Sequence, residues 1–263
     1  MPIALLGFPW DGNSSHARGP GLAPAVIRSV LSSPAASPRS IGGVELEHAI
    51  AAYDFAGLPE AGAQARAAIS ARVTEALARG LQPLSLGGDH SITFPILEAM
   101  AAEYGALNIL HIDAHPDLYE TYEGDRFSHA CPFFRALEAG CIDRLVQVGI
   151  RAWAPEHAET ARAHNVLMLG AEECARIPYE QLEAPLYVSI DLDGLDPAFA
   201  PGVSHPEPGG LTTREVLAIL ARLPVPPVGA DIVELNPERD TGLLTAHLAA
   251  RLVKELADAM TRA

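Results

Sequence analysis

The chain has 263 residues, 49% of them hydrophobic and 19% charged, which supplies a sizeable core and excludes a disordered polyelectrolyte. Its 18 basic and 33 acidic residues give a net charge of -15, so there is no electrostatic footprint for nucleic acid or an anionic membrane. The three cysteines, Cys131, Cys141 and Cys174, form no C-x-x-C pair and no even set, which excludes a disulfide framework or a zinc ribbon and points to a reducing compartment.

The opening MPIALLGFPWDG has no basic region and is too short to be a secretory apolar segment. No apolar run reaches the roughly 18 residues of a membrane span, so a cytoplasmic location is expected. Within that opening, IALLGF (3–8) reads as a strand, and SSPAASPRS (32–40) as a loop. The Ala-rich segment 61–80 is helical and ends at Gly80, a C-terminal signal. QPLSLGG (82–88) reads as a strand, followed by a helix that stops at Gly105. Further short apolar runs at 107–113, 144–150, 165–169 and 185–193 read as strands, and PAFAPGVSHPEPGG (197–210) as a loop. Thr212 with Glu215 three residues on is a capping box for a helix over 212–223. A last strand is expected at 227–235. A last amphipathic helix follows, with Leu244, Leu248, Leu252 and Leu256 on one stripe. Alternating elements with near-continuous apolar strands predict an α/β fold, its mainly parallel sheet covered on both faces. No repeat or linker interrupts it, so residues 1–263 are expected to form one domain.

Open parallel sheets bind ligands beyond the carboxyl ends of their strands. The strand at 82–88 runs into Asp89-His90, the one at 107–113 into Asp113, His115 and Asp117, and the one at 185–193 carries Asp191 and Asp193. Side chains two apart on a strand share a face, which pairs Asp113 with His115 and Asp191 with Asp193. Pro116 cannot donate to a ladder, so the chain is expected to leave the sheet there, letting Asp117 fold back. Taken singly, a D-x-D or a His after Gly-Gly-Asp is most often structural. Together, four carboxylates and two imidazoles would repel and hold protons unless cations lie between them. Two divalent ions remove that penalty, and the mixed O and N donors of His90, Asp113, His115, Asp117, Asp191 and Asp193 suit Mn²⁺. His111 reads as a satisfied core histidine, and His16, His157 and His247 as having no role in chemistry. Cys131 reads as a small buried residue, Asp196 and Asp231 as residues of turns and supporting hydrogen bonds.

GGDHSI (87–92), DAHPD (113–117) and SIDLDGLDPAFAPG (189–202) resemble the three signatures of the ureohydrolase (arginase/agmatinase) superfamily. The likeness runs along nearly the whole chain, from the loop at 5–28 to GADIVELNPERD (229–240). YEGDRFSHA (122–130) and PGVSHPEPGGLTTREVL (201–217) are most similar to plant-type arginases. The resemblance implies a three-layer α/β/α fold and two Mn²⁺ per subunit. His90, Asp113, Asp117 and Asp191 would hold one ion. Asp113, His115, Asp191 and Asp193 would hold the other, with Asp113 and Asp191 bridging.

The activity implied is amidinohydrolysis, in which a metal-bridging hydroxide cleaves a guanidino C–N bond and urea leaves. Asp117 would orient that hydroxide. Glu234 would pair with the guanidinium, against the alternative of a capping Glu. His129 would shuttle the proton to the departing amine, against the alternative of a solvated loop His. Tyr119 stands where animal-type arginases carry an Asn that holds the α-carboxylate, and Ala152, Trp153 and Ala154 stand near the place of their Asp for the α-amino group. Tyr119, Asp125 and His205 are candidate substrate contacts, His205 equally a packing residue. L-arginine is the leading substrate, agmatine, a guanidino acid or formimidoylglutamate the alternatives, and a catalytically silent binding protein the remote one. A trimer or hexamer of identical subunits is also implied.

Overall fold

The computed structural model describes residues 1–262. Its elements in chain order are β1 (Ile3–Gly7), α1 (Ala23–Leu31), α2 (Leu46–Ala49), β2 (Ile50–Asp54), α3 (Gly62–Ala78), β3 (Gln82–Leu86), α4 (Thr93–Tyr104) and β4 (Leu107–Ile112). They continue with α5 (Pro132–Glu138), β5 (Ile142–Val148), α6 (Pro155–Ala163), β6 (Leu167–Leu169), β7 (Leu186–Asp191), α7 (Thr213–Ala221), β8 (Gly229–Val233) and α8 (Leu244–Thr261). The strands form one eight-stranded sheet in the order β2-β1-β3-β8-β7-β4-β5-β6, and every pairing is parallel.

Alternate residues of each strand face opposite layers. Ile3 and Leu5 join one core with Ile27 of α1, Val216 and Ile219 of α7 and Leu252 and Leu256 of α8. Ala4 and Leu6 join the other with Ile69 and Val73 of α3, Ile96 of α4, Phe133 of α5 and Ala161 of α6. The result is helices, sheet, helices, the three-layer α/β/α arrangement. Burial on both faces is why β1, β3, β4, β7 and β8 are buried at every position and mostly apolar, with Gln82, Asn108, His111, Asp191 and Asp231 as buried polar exceptions.

The capping box at α7 is present: Thr212 Oγ1 accepts from Glu215 N at 3.2 Å, and Glu215 Oε2 accepts from Thr212 N at 2.8 Å. Several boundaries differ from the sequence reading. β2 was not anticipated. It is an edge strand whose residues alternate between cover and solvent, so it lacks the continuous apolar run of its neighbours. Nor were α1, α5 and α6 anticipated, although each carries Pro within its first two positions, where the missing N–H costs nothing. On α8, Leu248, Leu252 and Leu256 are buried but Leu244 is 51% exposed, because the first turn projects past the edge of the core.

Candidate metal centre and active site

The centre of the sheet, β3-β8-β7-β4, is made of strands far apart in sequence. The segment after each delivers one part of the site: His90 after β3, Glu234 after β8, Asp191 and Asp193 at the end of β7, and Asp113 to Asp117 after β4. Two glycines let these segments close up. A Cβ on Gly88 would lie 1.7 Å from the Trp10 carbonyl oxygen, and one on Gly194 would lie 2.7 Å from Asp113 N. Asp117 has φ of 54°, a left-handed conformation that Asp tolerates better than most residues. That turn after Pro116 brings its carboxylate back over the strand end.

His90 is buried, and its Nδ1 lies 3.0 Å from Asp117 Oδ2, 3.2 Å from Asp113 Oδ2 and 3.4 Å from Asp191 Oδ2. The other ring nitrogen fixes the tautomer. Ser189 Oγ donates to Asp231 Oδ1 at 2.6 Å and so accepts from His90 Nε2 at 3.0 Å. Asp231 Oδ2 is further held by the hydroxyls of Tyr187 and Thr93. Nδ1 is left bare, buried and without a hydrogen-bond partner among the described residues. A lone pair facing three carboxylate oxygens is repulsive until a cation sits among them. A second cluster adjoins it: His115 Nδ1 lies 3.1 Å from Asp193 Oδ2 and 3.5 Å from Asp113 Oδ1. Asp113, His115 and Asp193 have ligand atoms close enough to share one ion.

The electrostatics give the same picture. Burial, joined by the charges of Asp193 and Asp113, pushes the Asp191 carboxyl well above the carboxylate range. Burial and the Asp113 charge push Asp117 up to about 7. Asp113 goes the other way. Burial would raise it, but the imidazoles of His111, His115 and His90 hold it well below its ordinary value. Without a metal, the three carboxylates outweigh burial and push the His90 imidazole well above its ordinary value. A cation of charge two relieves all of these at once.

His111 is within ligand distance of Asp113 and His90, but both its nitrogens are engaged. Gln147 Nε2 donates to Nδ1 at 3.0 Å, so the proton sits on Nε2 and is donated to Asp113 Oδ2 at 2.8 Å. It is a satisfied core histidine that orients a carboxylate.

Glu234 and His129 flank the cluster. Glu234 is buried with φ of 65°, an uncommon conformation for Glu that costs about 1–3 kcal/mol. Its Oε1 accepts from His90 N at 2.9 Å and lies 3.7 Å from His129 Nδ1. Burial, with the Asp89 charge, pushes Glu234 well above its ordinary value. Burial, with the His205 and His115 charges, pulls His129 down to about 3. His129 Nε2 sits 2.9 Å from Ser15 Oγ, and its ring stacks on His205 at 5.1 Å between centroids.

A cavity of about 380 Å³ opens onto this array, lined by His115, Asp117, Asp191, Asp193, His129 and Glu234 at its floor. Tyr119, Tyr122, Trp153, His157 and His205 form much of its wall. Tyr119 and His205 thus reach the cavity. Asp125 does not: its Oδ2 accepts from Asn13 Nδ2 at 2.7 Å and its Oδ1 from Phe127 N at 2.8 Å. Its visible work is to tie the first loop to the loop that carries His129. Ser15, Ser189, Tyr122 and His157 belong to the site and its support, yet the sequence reading gave them no role. Each is an ordinary residue type whose place depends on a partner elsewhere in the chain.

The fold and the site define a metal-dependent hydrolase class. The sequence profile described as "Arginase family" matches residues 1–258. "Arginase 1, mitochondrial" of Arabidopsis thaliana is 40% identical over 97% of this chain and 80% of the relative. "Proclavaminate amidinohydrolase" of Streptomyces clavuligerus is 35% identical over 97% of this chain and 86% of the relative. The solved arginase from Medicago truncatula superposes with a TM-score of 0.91 at 39% identity, over 98% of this chain and 87% of that one. The chain belongs to the arginase family, and as such it is a hydrolase acting on guanidino C–N bonds.

Proposed function

We propose that this protein is a binuclear manganese amidinohydrolase that converts L-arginine to L-ornithine and urea. The observation that carries the reading is the bare Nδ1 of His90 facing Asp113, Asp117 and Asp191, with Glu234 and His129 lining the same cavity. His90, Asp113, Asp117 and Asp191 would hold one ion, and Asp113, His115, Asp191 and Asp193 the other. When bound, the ions supply a water of lowered pKa as the nucleophile.

The chain's own groups do the rest. Glu234 receives the planar guanidinium with paired hydrogen bonds and so aims its central carbon at the floor of the cavity. Asp117 accepts a hydrogen bond from the nucleophile and orients it. His129, neutral and held by Ser15, takes up the proton that the attacking water gives up and relays it to the departing amine, returning to its neutral form. Tyr119 and His205 bound the tail of the substrate. Asp125 supports His129 through Asn13 rather than meeting the tail.

L-arginine is the leading substrate because the plant arginases align over nearly all of the chain at about 40% identity. A second reading is agmatine or another guanidino compound, since "Agmatinase, mitochondrial" of Gallus gallus is 33% identical over 97% of the chain. We also propose a single functional domain, supported by one continuous sheet, and a trimer or hexamer by likeness to the family. Among the described residues no helix is long and apolar enough to cross a membrane. A cytoplasmic location rests on the free cysteines, whereas the names of the Arabidopsis relatives place those proteins in mitochondria or chloroplasts.

The test is urea release by Mn²⁺-loaded protein from L-arginine, agmatine, 4-guanidinobutanoate and formimidoylglutamate. Equal rates on arginine and agmatine would remove the arginase assignment. Tight metal binding with no turnover on any of them would leave a silent binding protein.

A further inference from the structure

Arg151 lies just past the end of β5, and all the N–H donors of its guanidinium go to backbone carbonyls. Nη1 donates to Gly149 O at 2.8 Å and to Gly194 O at 3.3 Å. Nη2 donates to Glu207 O at 2.6 Å and to Asp193 O at 2.7 Å, with Leu195 O further off at 3.4 Å. Nε also donates to Glu207 O, at 3.2 Å. One side chain thus holds three segments remote in sequence: the end of β5, the turn that carries Asp193, and the loop that carries His205. The fit is close, since a Cβ on Gly210 would lie 2.6 Å from Arg151 Nη2.

The main chain of the same residue completes the link. Arg151 N donates to Ala114 O at 2.9 Å, and Ala114 stands between Asp113 and His115. Ala114 N in turn donates to Asp193 Oδ1 at 3.1 Å. Arg151 therefore bonds both segments that supply the Asp113, His115 and Asp193 cluster. Among the described residues none of its hydrogen bonds reaches His90 or Asp117, which belong to the other cluster alone.

We infer that Arg151 is a positioning residue for one of the two ions. It fixes Asp193 against Asp113 and His115, and so sets the affinity of that site without setting the other's. This rests on the two-ion reading of the centre. A carbonyl that loses its donor turns, and the carboxylate on the same residue turns with it. Outer hydrogen bonds that orient ligand residues are worth about 10–100-fold in metal affinity. A planar guanidinium holds several acceptors in one fixed geometry, which the point charge of an ammonium does not. Arg151 is itself a cation, and plain repulsion of an ion would act the other way. The sign of the change in affinity therefore separates positioning from charge.

The experiment strips metal from wild type, Arg151→Met and Arg151→Lys and titrates each with Mn²⁺. Calorimetry and elemental analysis give affinity and stoichiometry, and manganese EPR separates a coupled pair from an isolated ion. Wild type should hold two ions per chain. R151M should bind one ion as wild type does and the second about 10–100-fold more weakly. R151K should fall between, and excess Mn²⁺ should restore most of kcat in both variants. Both ions weakened alike in R151M, or both bound as in wild type or more tightly, overturns the inference. If the variants fail to fold, wild type decides through the reciprocity of linkage. Hydrogen exchange of the amides in 193–210 should slow as occupancy passes from one ion to two, and no change there refutes. If wild type holds a single ion, the two-ion reading fails separately, and R151M is judged on that ion. A loss of about 10–100-fold then keeps the role of Arg151, and unchanged affinity overturns it.

Discussion

His90 Nδ1 and Asp117 Oδ2 lie 3.0 Å apart, although one follows β3 and the other β4, and two strands stand between those in the sheet. The contact exists because a Gly-Gly turn starts one segment and a left-handed Asp bends the other back. It joins two groups that would each rather meet a cation than one another.

Removing the cation should therefore loosen the protein as well as silence it. A ligand at a hundred times its dissociation constant adds about 2.7 kcal/mol to stability. Chelation of manganese should lower Tm by several degrees, and added Mn²⁺ should restore both Tm and urea release. An unchanged melting curve after complete stripping, verified by elemental analysis, would contradict the centre.

Ser189 joins His90 Nε2 to Asp231 and so fixes which nitrogen faces the ions. Ser189→Ala should weaken metal affinity by about 10–100-fold. At saturating metal the turnover should be close to wild type. Metal titrations of activity separate the two effects, and a loss of kcat that excess manganese cannot repair would assign Ser189 a different role.

Glu234→Gln keeps the shape of the side chain and removes the charge that receives the guanidinium. Losing one side of a desolvated charge pair costs about 2–5 kcal/mol. A fall in kcat/KM of at least about thirtyfold is expected, with metal content intact. Normal kcat/KM in this variant would exclude Glu234 from substrate binding.

The pH dependence of stability follows from His157. Its pKa is depressed from 6.5 to about 4, with burial as the main cause. A group depressed on folding contributes stability that is complete above its unfolded value and is lost as pH falls through its folded value. Metal-free wild type should thus lose Tm between about pH 6.5 and 4 more steeply than His157→Phe, which has no imidazole to charge. Parallel Tm–pH curves would show that the ring is not buried neutral.

Packing gives a contrast within one helix. Leu252 is fully buried and Leu244 is 51% exposed. Leu252→Ala should cost about 2–5 kcal/mol through lost burial and a residual cavity, and Leu244→Ala should stay within about 0.5 kcal/mol. Denaturant titration of both variants checks the assignment of the core face of α8.

Much of the fold was legible because a parallel sheet buried on both faces needs continuous apolar runs, and LNIL, LYVSI and IALLG supply them. β2 escaped because an exposed edge needs only half of that pattern. Of the candidate site, the acidic and imidazole groups stood out at strand ends, where their chemistry is costly without a reason. His157 did not. A histidine in the first turn of a helix looks like many others, and its burial against Tyr119 at the cavity wall depends on a packing partner remote in the chain.

The sequence alone determined the alternation of strand and helix, the apolar faces, and the clustering of Asp and His beyond β3, β4 and β7. These are local consequences of periodicity and of the cost of burying charge. Tertiary structure alone decided the strand order that sets β8 and β7 between β3 and β4. It also decided the choice of His90 Nδ1 over Nε2 by Ser189, and the approach of His129, Glu234 and His157 to one cavity. Those depend on distances between residues remote along the chain, which local preferences do not encode.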